Sequence, residues 1–153
     1  METLRARGLD VALRDAFERG IPILGICLGA QIVLSRSEEG DTPCLGLIPG
    51  CSPRFDLADR ALKVPHMGWN AVRIRQPHPV LNEVQDEDEF YFVHAYYPLP
   101  SQASRVFATC HYGGPFPAVI GDRNLVATQF HPEKSGRIGL ALLRSFSEWD
   151  GVA

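Results

Sequence analysis

Hydrophobic and polar positions along the chain change their spacing several times, and each change predicts a new element. Apolar residues at every third or fourth position over 9–17 predict a helix, with Asp10 as its N-cap and Gly20 as its stop. The run over 21–26 is almost wholly apolar, which predicts a short buried strand. Helical spacing returns over 28–35, so the first part of the chain predicts helix, strand, tight corner and helix.

The rest of the chain predicts several strands and a closing helix. Five stretches have the alternation or the β-rich composition of strands: residues 69–75, 89–96, 105–111, 118–120 and 125–130. A helical turn is predicted over 79–84. The last helix, 136–149, carries one apolar stripe that is typical of core packing: Ile138, Leu142, Phe146 and Trp149. Mixed helices and strands of these lengths predict an α/β fold.

Composition restricts the class of protein. A chain of 153 residues with 45% hydrophobic positions is long enough for one domain, residues 1–153, with a real core. A net charge of -3 favours neither nucleic acid nor an anionic membrane as a partner. Residues 1–7 are charged and no apolar run reaches membrane-spanning length. Four cysteines without C-x-x-C spacing fit a reducing cytoplasm, and no metal site is predicted.

Cys27 lies between Gly25 and Gly29, where the predicted strand meets the predicted helix. This pattern is typical of a nucleophile elbow, whose tight turn is expected to exclude a Cβ two positions to either side of the nucleophile. A thiol at the start of a helix lies near its positive end, which favours the thiolate. A buried structural cysteine would fit the same five residues.

His131-Pro132-Glu133 follows the β-rich run 125–130, and open α/β sheets place their chemistry at the carboxyl ends of strands. A cysteine nucleophile needs a base, and the base needs an orienting group. Residues two apart in an extended segment point the same way, so Glu133 can hold His131 toward Cys27. A surface turn could also contain these residues. Together with the elbow, they predict a triad of Cys27, His131 and Glu133.

Six stretches of the chain form a wider pattern: GICLGAQ (25–31), SEEG (37–40), LGLIPG (45–50), KVPHMGWN (63–70), FYFVHAYY (90–97) and FHPEKS (130–135). Together they resemble the class I (triad) glutamine amidotransferases, and more closely the glutaminase subunits of imidazole glycerol phosphate synthase. The first and last are common to the wider class, and the combination of MGWN with YFVH is narrower. The resemblance implies a flavodoxin-like three-layer open sheet and hydrolysis of glutamine to glutamate and ammonia, without metal or organic cofactor.

The resemblance also assigns roles to further residues. Residues implied to contact the substrate glutamine are Gln31, Glu39, His94, Ala95 and Tyr96. The backbone N–H of Leu28 is implied as an oxyanion donor. Residues implied to face a partner subunit are Met67, Trp69, Asn70, Tyr91 and Lys134. On general grounds, acidic loops such as 38–41 are usually solvated surface, and aromatic clusters such as 90–97 are usually core.

The partner implied by the resemblance is a separate (β/α)8-barrel cyclase subunit. It receives the ammonia and forms imidazole glycerol phosphate and an aminoimidazole carboxamide ribotide in histidine biosynthesis. Three alternatives stay open: a glutaminase of another synthase, a γ-glutamyl peptidase, and a docking module without catalysis.

The sequence departs from the family pattern in three places. The family has further strands before the part that matches residues 1–9, including a Pro-Gly-containing strand that supplies a second oxyanion donor. We therefore expect an N-terminally incomplete domain, lacking these strands, that neither forms a stable monomer nor hydrolyses glutamine well by itself. Ala95 stands where the family usually has a hydroxyl residue, and Gly136 is a minor departure.

Overall fold

The computed structural model of the protein describes residues 1–152, and two β-sheets organise them. Ten strands are present in this range: β1 (Ile23–Ile26), β2 (Arg36–Ser37), β3 (Thr42–Pro43), β4 (Gly50–Ser52), β5 (His66–Ile74), β6 (Glu89–His94), β7 (Leu99–Pro100), β8 (Val106–His111), β9 (Pro115–Asp122) and β10 (Leu125–Thr128). The α-helices are α1 (Glu2–Ala6), α2 (Leu9–Glu18), α3 (Leu28–Ile32) and α4 (Gly136–Glu148). Short 3-10 turns lie at Glu39–Asp41, Pro79–Leu81, Ala103–Arg105 and Pro132–Lys134.

The larger sheet has six strands in the order β1-β10-β9-β8-β5-β6, and the smaller sheet has the order β3-β2-β4-β7. In the larger sheet β1 and β10 are parallel, whereas the other neighbouring strands are antiparallel. The predicted α/β open sheet is therefore confirmed, in a mixed form. The small sheet was not predicted as such, because its strands of two or three residues are too short to show an alternating pattern.

Two hydrophobic cores lie on opposite faces of the larger sheet. Val126 packs into one core with Leu142 of α4, whereas its neighbours Leu125 and Ala127 pack into the other core with Phe17 of α2. Successive side chains of a strand point to opposite faces, so β10 contributes to both cores. Helices on both faces give the three layers predicted from the family resemblance.

The helix ends differ from the sequence prediction in two places. The N-cap of α2 is Gly8, with a left-handed φ of 67°, so the prediction of Asp10 as N-cap is wrong. Helix α3 ends at Ile32, short of the predicted end at residue 35. Loop amides donate to the carbonyls at its end; Leu45 N–H, for example, lies 2.8 Å from Ile32 O. The stop near Gly20 and the extent of α4 agree with the prediction to within one or two residues.

Strand β1, which leads to Cys27, pairs with β10 alone among residues 1–152. The N–H groups of Ile23 and Cys27 donate to Asn124 O and Thr128 O, both at 2.8 Å. Amides alternate in direction along a strand, so those of Leu24 and Ile26 point away from β10. Within residues 1–152, β1 is therefore an edge strand of the larger sheet.

No helix in residues 1–152 is long and apolar enough to cross a membrane.

Candidate active site

Cys27 lies on the strained corner that the sequence predicted. Its φ of 50° and ψ of -99° are unusual for a residue other than glycine. A Cβ on Gly25 would lie 2.8 Å from Ala127 Cβ and 3.0 Å from the carbonyl carbon of Gly29. A Cβ on Gly29 would meet nothing within 4 Å. Steric exclusion therefore explains the first glycine of the pattern, and the same explanation for Gly29 is wrong.

The thiol of Cys27 has two hydrogen-bond partners in residues 1–152. Sγ lies 3.9 Å from Val93 O, and the side-chain Nε2 of Gln129 lies 3.6 Å from Sγ. Burial raises the pKa of the Cys27 thiol, although the backbone N–H of Leu28 acts to lower this pKa. The expected preference for thiolate is therefore not met in this structure, because desolvation outweighs the donors around the sulfur.

His131 and Glu133 form a close pair, with His131 Nδ1 2.6 Å from Glu133 Oε1. His131 is the N-cap of the 3-10 turn Pro132–Lys134 and Glu133 lies within it, so a tight turn brings them together, in place of the extended segment assumed from the sequence. This pairing leaves Nε2 of His131 as the nitrogen available to a reacting group. His131 is not among the hydrogen-bond partners of Sγ within residues 1–152.

The parallel pairing of β1 with β10 explains why the two motifs are neighbours. Ile26 and Thr128 are register partners, so Cys27 and His131 follow adjacent strands at the same end of the sheet. Glu133 and Lys134 are close enough to Cys27 to act on the thiol pKa in opposite directions, since Glu133 raises it and Lys134 lowers it. The structure thus brings the three predicted triad residues into one region.

Three other predicted residues line one cavity of about 230 Å³: Leu28, Gln31 and Glu39. Glu39 is exposed at the cavity, whereas the Gln31 side chain is buried. Gln31 Nε2 donates to Tyr96 O and to Gln129 Oε1, both at 3.0 Å. Its own oxygen has no hydrogen-bond partner among residues 1–152 and is available to a ligand. A cavity with a carboxylate and a free amide oxygen can recognise an ammonium or amide group.

Of the predicted residues His94, Ala95 and Tyr96, the last is linked to this cavity, because its backbone carbonyl accepts from Gln31 Nε2. Both ring nitrogens of His94 already have partners, since Nδ1 lies 2.7 Å from Tyr96 O and Nε2 lies 3.0 Å from His66 Nδ1. Burial lowers the pKa of His94 to about 4, so its ring is neutral at pH 7. Ala95 O accepts a hydrogen bond from Phe55 N–H. The Tyr96 carbonyl, bonded to Gln31, is the closest link of this segment to the cavity.

Four of the five predicted partner residues occur on or beside the edge strand β6. Trp69 and Tyr91 are register partners whose rings meet edge to face, with centroids 6.2 Å apart. The Trp69 side chain is 55% exposed and Met67 is 63% exposed. Lys134 is exposed in the turn beside His131. These four residues, Met67, Trp69, Tyr91 and Lys134, are called the aromatic surface below.

Asn70 is separated from the aromatic surface. It follows Trp69 in β5 and therefore points to the opposite face of the strand. Its Nδ2 lies 3.2 Å from His66 Nε2 and 3.0 Å from His111 O. Asn70 is thus half-buried and hydrogen-bonded within the chain, on the face opposite the aromatic surface, and its contact with a partner subunit stays a prediction.

Two residues beside the site were not predicted from the sequence. Gln129 contacts the Cys27 sulfur, and His66 contacts His94. Both occur next to or within stretches that carry the family resemblance, directly before FHPEKS and within KVPHMGWN. Their positions alone did not distinguish them from ordinary strand residues.

The family model named Glutamine amidotransferase class-I matches residues 4–147. The chain therefore belongs to the class I glutamine amidotransferase family. A solved structure described as a glutamine amidotransferase has the same fold, with a TM-score of 0.70 at 20% identity over 99% of this chain and 72% of the other.

Two relatives with higher sequence identity are both subunits of imidazole glycerol phosphate synthase. The chain is 50% identical over 151 residues to imidazole glycerol phosphate synthase subunit HisH of Nitratidesulfovibrio vulgaris, covering 95% of this chain and 71% of the relative. It is 44% identical over 156 residues to the subunit of the same name from Thiobacillus denitrificans, covering 98% of this chain and 68% of the relative.

Proposed function

We propose that this chain is the glutaminase subunit of an imidazole glycerol phosphate synthase, and that it hydrolyses the side-chain amide of glutamine to glutamate and ammonia. The observation that carries the proposal is the position of Cys27. It lies on a strained corner, and the adjacent strand leads to the His131–Glu133 pair. The next residue, Leu28, lines a cavity together with Gln31 and Glu39. Acyl transfer to a cysteine needs this combination of nucleophile, base and substrate pocket.

In the proposed reaction, the Cys27 sulfur attacks the carboxamide carbon of glutamine. His131 takes the thiol proton and delivers it to the departing ammonia, which leaves a thioester on Cys27. His131 then activates water, which releases glutamate and restores the thiol. Glu133 holds Nδ1 of His131 and so keeps Nε2 toward the reacting atoms. The Leu28 backbone N–H stabilises the oxyanion.

For substrate binding, we propose Glu39 as the partner of the α-ammonium group and Gln31 as a contact through its free oxygen. Both line the same cavity, which supports these roles. Because both ring nitrogens of His94 are occupied, we assign the contribution of residues 94–96 to their backbone.

The ammonia is proposed to pass to a (β/α)8-barrel cyclase subunit that forms imidazole glycerol phosphate. Two observations support this partner: the similarity to subunits of imidazole glycerol phosphate synthase and the exposed aromatic surface. Ser135 Oγ accepts from Tyr91 N–H and donates to His131 O, so the aromatic surface is bonded to the segment that carries the base. We therefore expect glutamine turnover to rise when the liganded cyclase binds.

The test compares Cys27→Ser with a matched control, Cys51→Ser, in the synthase assembled with its cyclase subunit. Cys51 is a half-buried free cysteine in β4, outside the proposed mechanism. We expect Cys27→Ser to abolish glutamate formation, whereas cyclase activity with added ammonia persists and the control retains both activities. Glutamate formation by the Cys27→Ser variant at the parent rate would refute the assignment.

A further inference from the structure

Gln129 is a fully buried polar side chain that the reaction described above does not use. Its Nε2 lies 3.6 Å from Cys27 Sγ, and its Oε1 lies 3.0 Å from Gln31 Nε2. Its backbone N–H donates to Ala118 O at 2.8 Å, which ties the residue to the neighbouring strand β9. The side chain therefore bridges the expected nucleophile and a residue of the substrate cavity.

The direction of the Gln129 amide follows from a carbonyl two hydrogen bonds away. Tyr96 O can only accept, so the group of Gln31 that faces it is the NH2 group. The same NH2 group meets Gln129, which must therefore present its oxygen to Gln31. The opposite end of the Gln129 amide, facing Cys27 Sγ, is then an N–H donor.

The Tyr96 carbonyl also accepts from a line of buried and half-buried groups whose directions are determined as well. His94 Nδ1 donates to Tyr96 O, so the unprotonated Nε2 of this neutral ring accepts from His66 Nδ1. His66 Nε2 then accepts from the Asn70 amide, 3.2 Å away. Ala71 N–H donates to Asn70 Oδ1 at 2.9 Å and fixes that amide. The acceptor that orients Gln31 is thus itself held in place.

We propose that Gln129 is a further catalytic residue of this site, which donates its side-chain N–H to the sulfur of Cys27 and so favours the thiolate. The inference rests on the proposed glutaminase function. A buried thiolate lacks water as a donor, and a hydrogen bond to a charged group is stronger than one between neutral groups. The contact also opposes the effect of burial, which raises the pKa of this thiol.

Several charged or titratable groups occupy the elements next to the sulfur, and the test variants leave all of them in place. Glu133 and Lys134 act on the thiol from the turn after β10. His131 begins the same turn, and His94 ends β6. Both substitutions therefore change one contact of the sulfur and keep these existing groups, and only Gln129→Glu adds a charge.

The test compares Gln129→Met, which keeps the approximate length and loses the N–H, with Gln129→Glu, which places a carboxylate near the sulfur. The matched control is Gln76→Met. The Gln76 amide donates to Ser104 O at 2.7 Å and Val106 O at 2.9 Å, so the control also removes two amide hydrogen bonds, at a different place in the fold.

The readouts are the pH midpoint of iodoacetamide alkylation at Cys27, resolved by peptide mass spectrometry, and kcat and KM for glutamine, both in the synthase assembled with its cyclase subunit. Loss of a hydrogen bond to a charged group predicts that the midpoint rises by about one pH unit in Gln129→Met. The rise should be larger in Gln129→Glu. We expect kcat/KM to fall about tenfold in Gln129→Met, because tenfold less thiolate is present at a given pH. The control should leave both readouts unchanged.

Thermal unfolding identifies the folded variants. If Gln129→Met does not fold, the result for Gln129→Glu tests the proposal. The assignment would be overturned if the folded Gln129 variants had the same alkylation midpoint as the parent, or if the Gln76 control shifted the midpoint equally. Alkylation requires no glutamine turnover. A parent protein without glutaminase activity would thus refute the proposed function, while the alkylation midpoint still decides the contact between Gln129 and Cys27.

Discussion

The two glycines of the Cys27 corner should respond in opposite ways to alanine, although the sequence pattern treats them alike. In Gly25→Ala the new Cβ would lie 2.8 Å from Ala127 Cβ and 3.0 Å from the Gly29 carbonyl carbon. Backbone on one side and a paired strand on the other leave little room to relax. Overpacking of this kind typically costs about 1–3 kcal/mol. At about 2–4 °C per kcal/mol for a chain of this size, Tm should fall by about 2–12 °C.

Gly29→Ala is the matched substitution, and we expect it to change stability in the opposite direction. Gly29 is the second residue of α3, and its new Cβ would meet nothing within 4 Å. Alanine in a helix is favoured over glycine by about 0.5–1 kcal/mol. We therefore expect Tm to rise by about 1–4 °C.

The measurement is thermal unfolding of parent and both variants under one buffer condition, repeated by urea titration to compare midpoints at similar m-values. Parent-like stability of Gly25→Ala would refute the steric argument for Gly25. Destabilisation of Gly29→Ala by as much as Gly25→Ala would show that both glycines serve the corner in the same way.

Three further predictions concern charge, pH and the edge of the sheet. Glu133→Gln should lower glutamine turnover by at least about a hundredfold, because the charge that orients His131 is lost. The same variant should lower the pH midpoint of Cys27 alkylation, because Glu133 raises the thiol pKa, and a higher midpoint would contradict this effect of Glu133. Burial lowers the pKa to about 4 for three histidines: His66, His78 and His94. Their unfolded pKa is about 6.5, so their contribution to the free energy of unfolding is present above that pH and is lost as the pH falls from 6.5 to 4, with a cost on the order of a few kcal/mol. Equal urea midpoints at pH 7 and pH 5 would exclude this loss of stability. The outward amides of β1 should make residues 1–153 associate with increasing concentration, and a constant monomer mass in sedimentation would count against that reasoning.

Local features of the chain were sufficient to predict the main elements, the Cys27 corner and the His131–Glu133 pair. The spacing of apolar residues predicted α2, β1 and α4, because helix and strand periods depend on which side of an element faces a core. The Cys27 corner and the pair His131–Glu133 were predictable for a similar reason. Each is formed by residues adjacent in sequence, so short-range geometry almost determines it.

Other features depended on contacts between distant parts of the chain, which no local pattern reveals. Gln129 meets Cys27 across a separation of 102 residues, and only the pairing of β1 with β10 makes them neighbours. The direction of Asn70, away from the aromatic surface, follows from its partner His66 inside the fold. The pKa of the Cys27 thiol is likewise a tertiary property, because burial by the surrounding elements outweighs the donors near the sulfur.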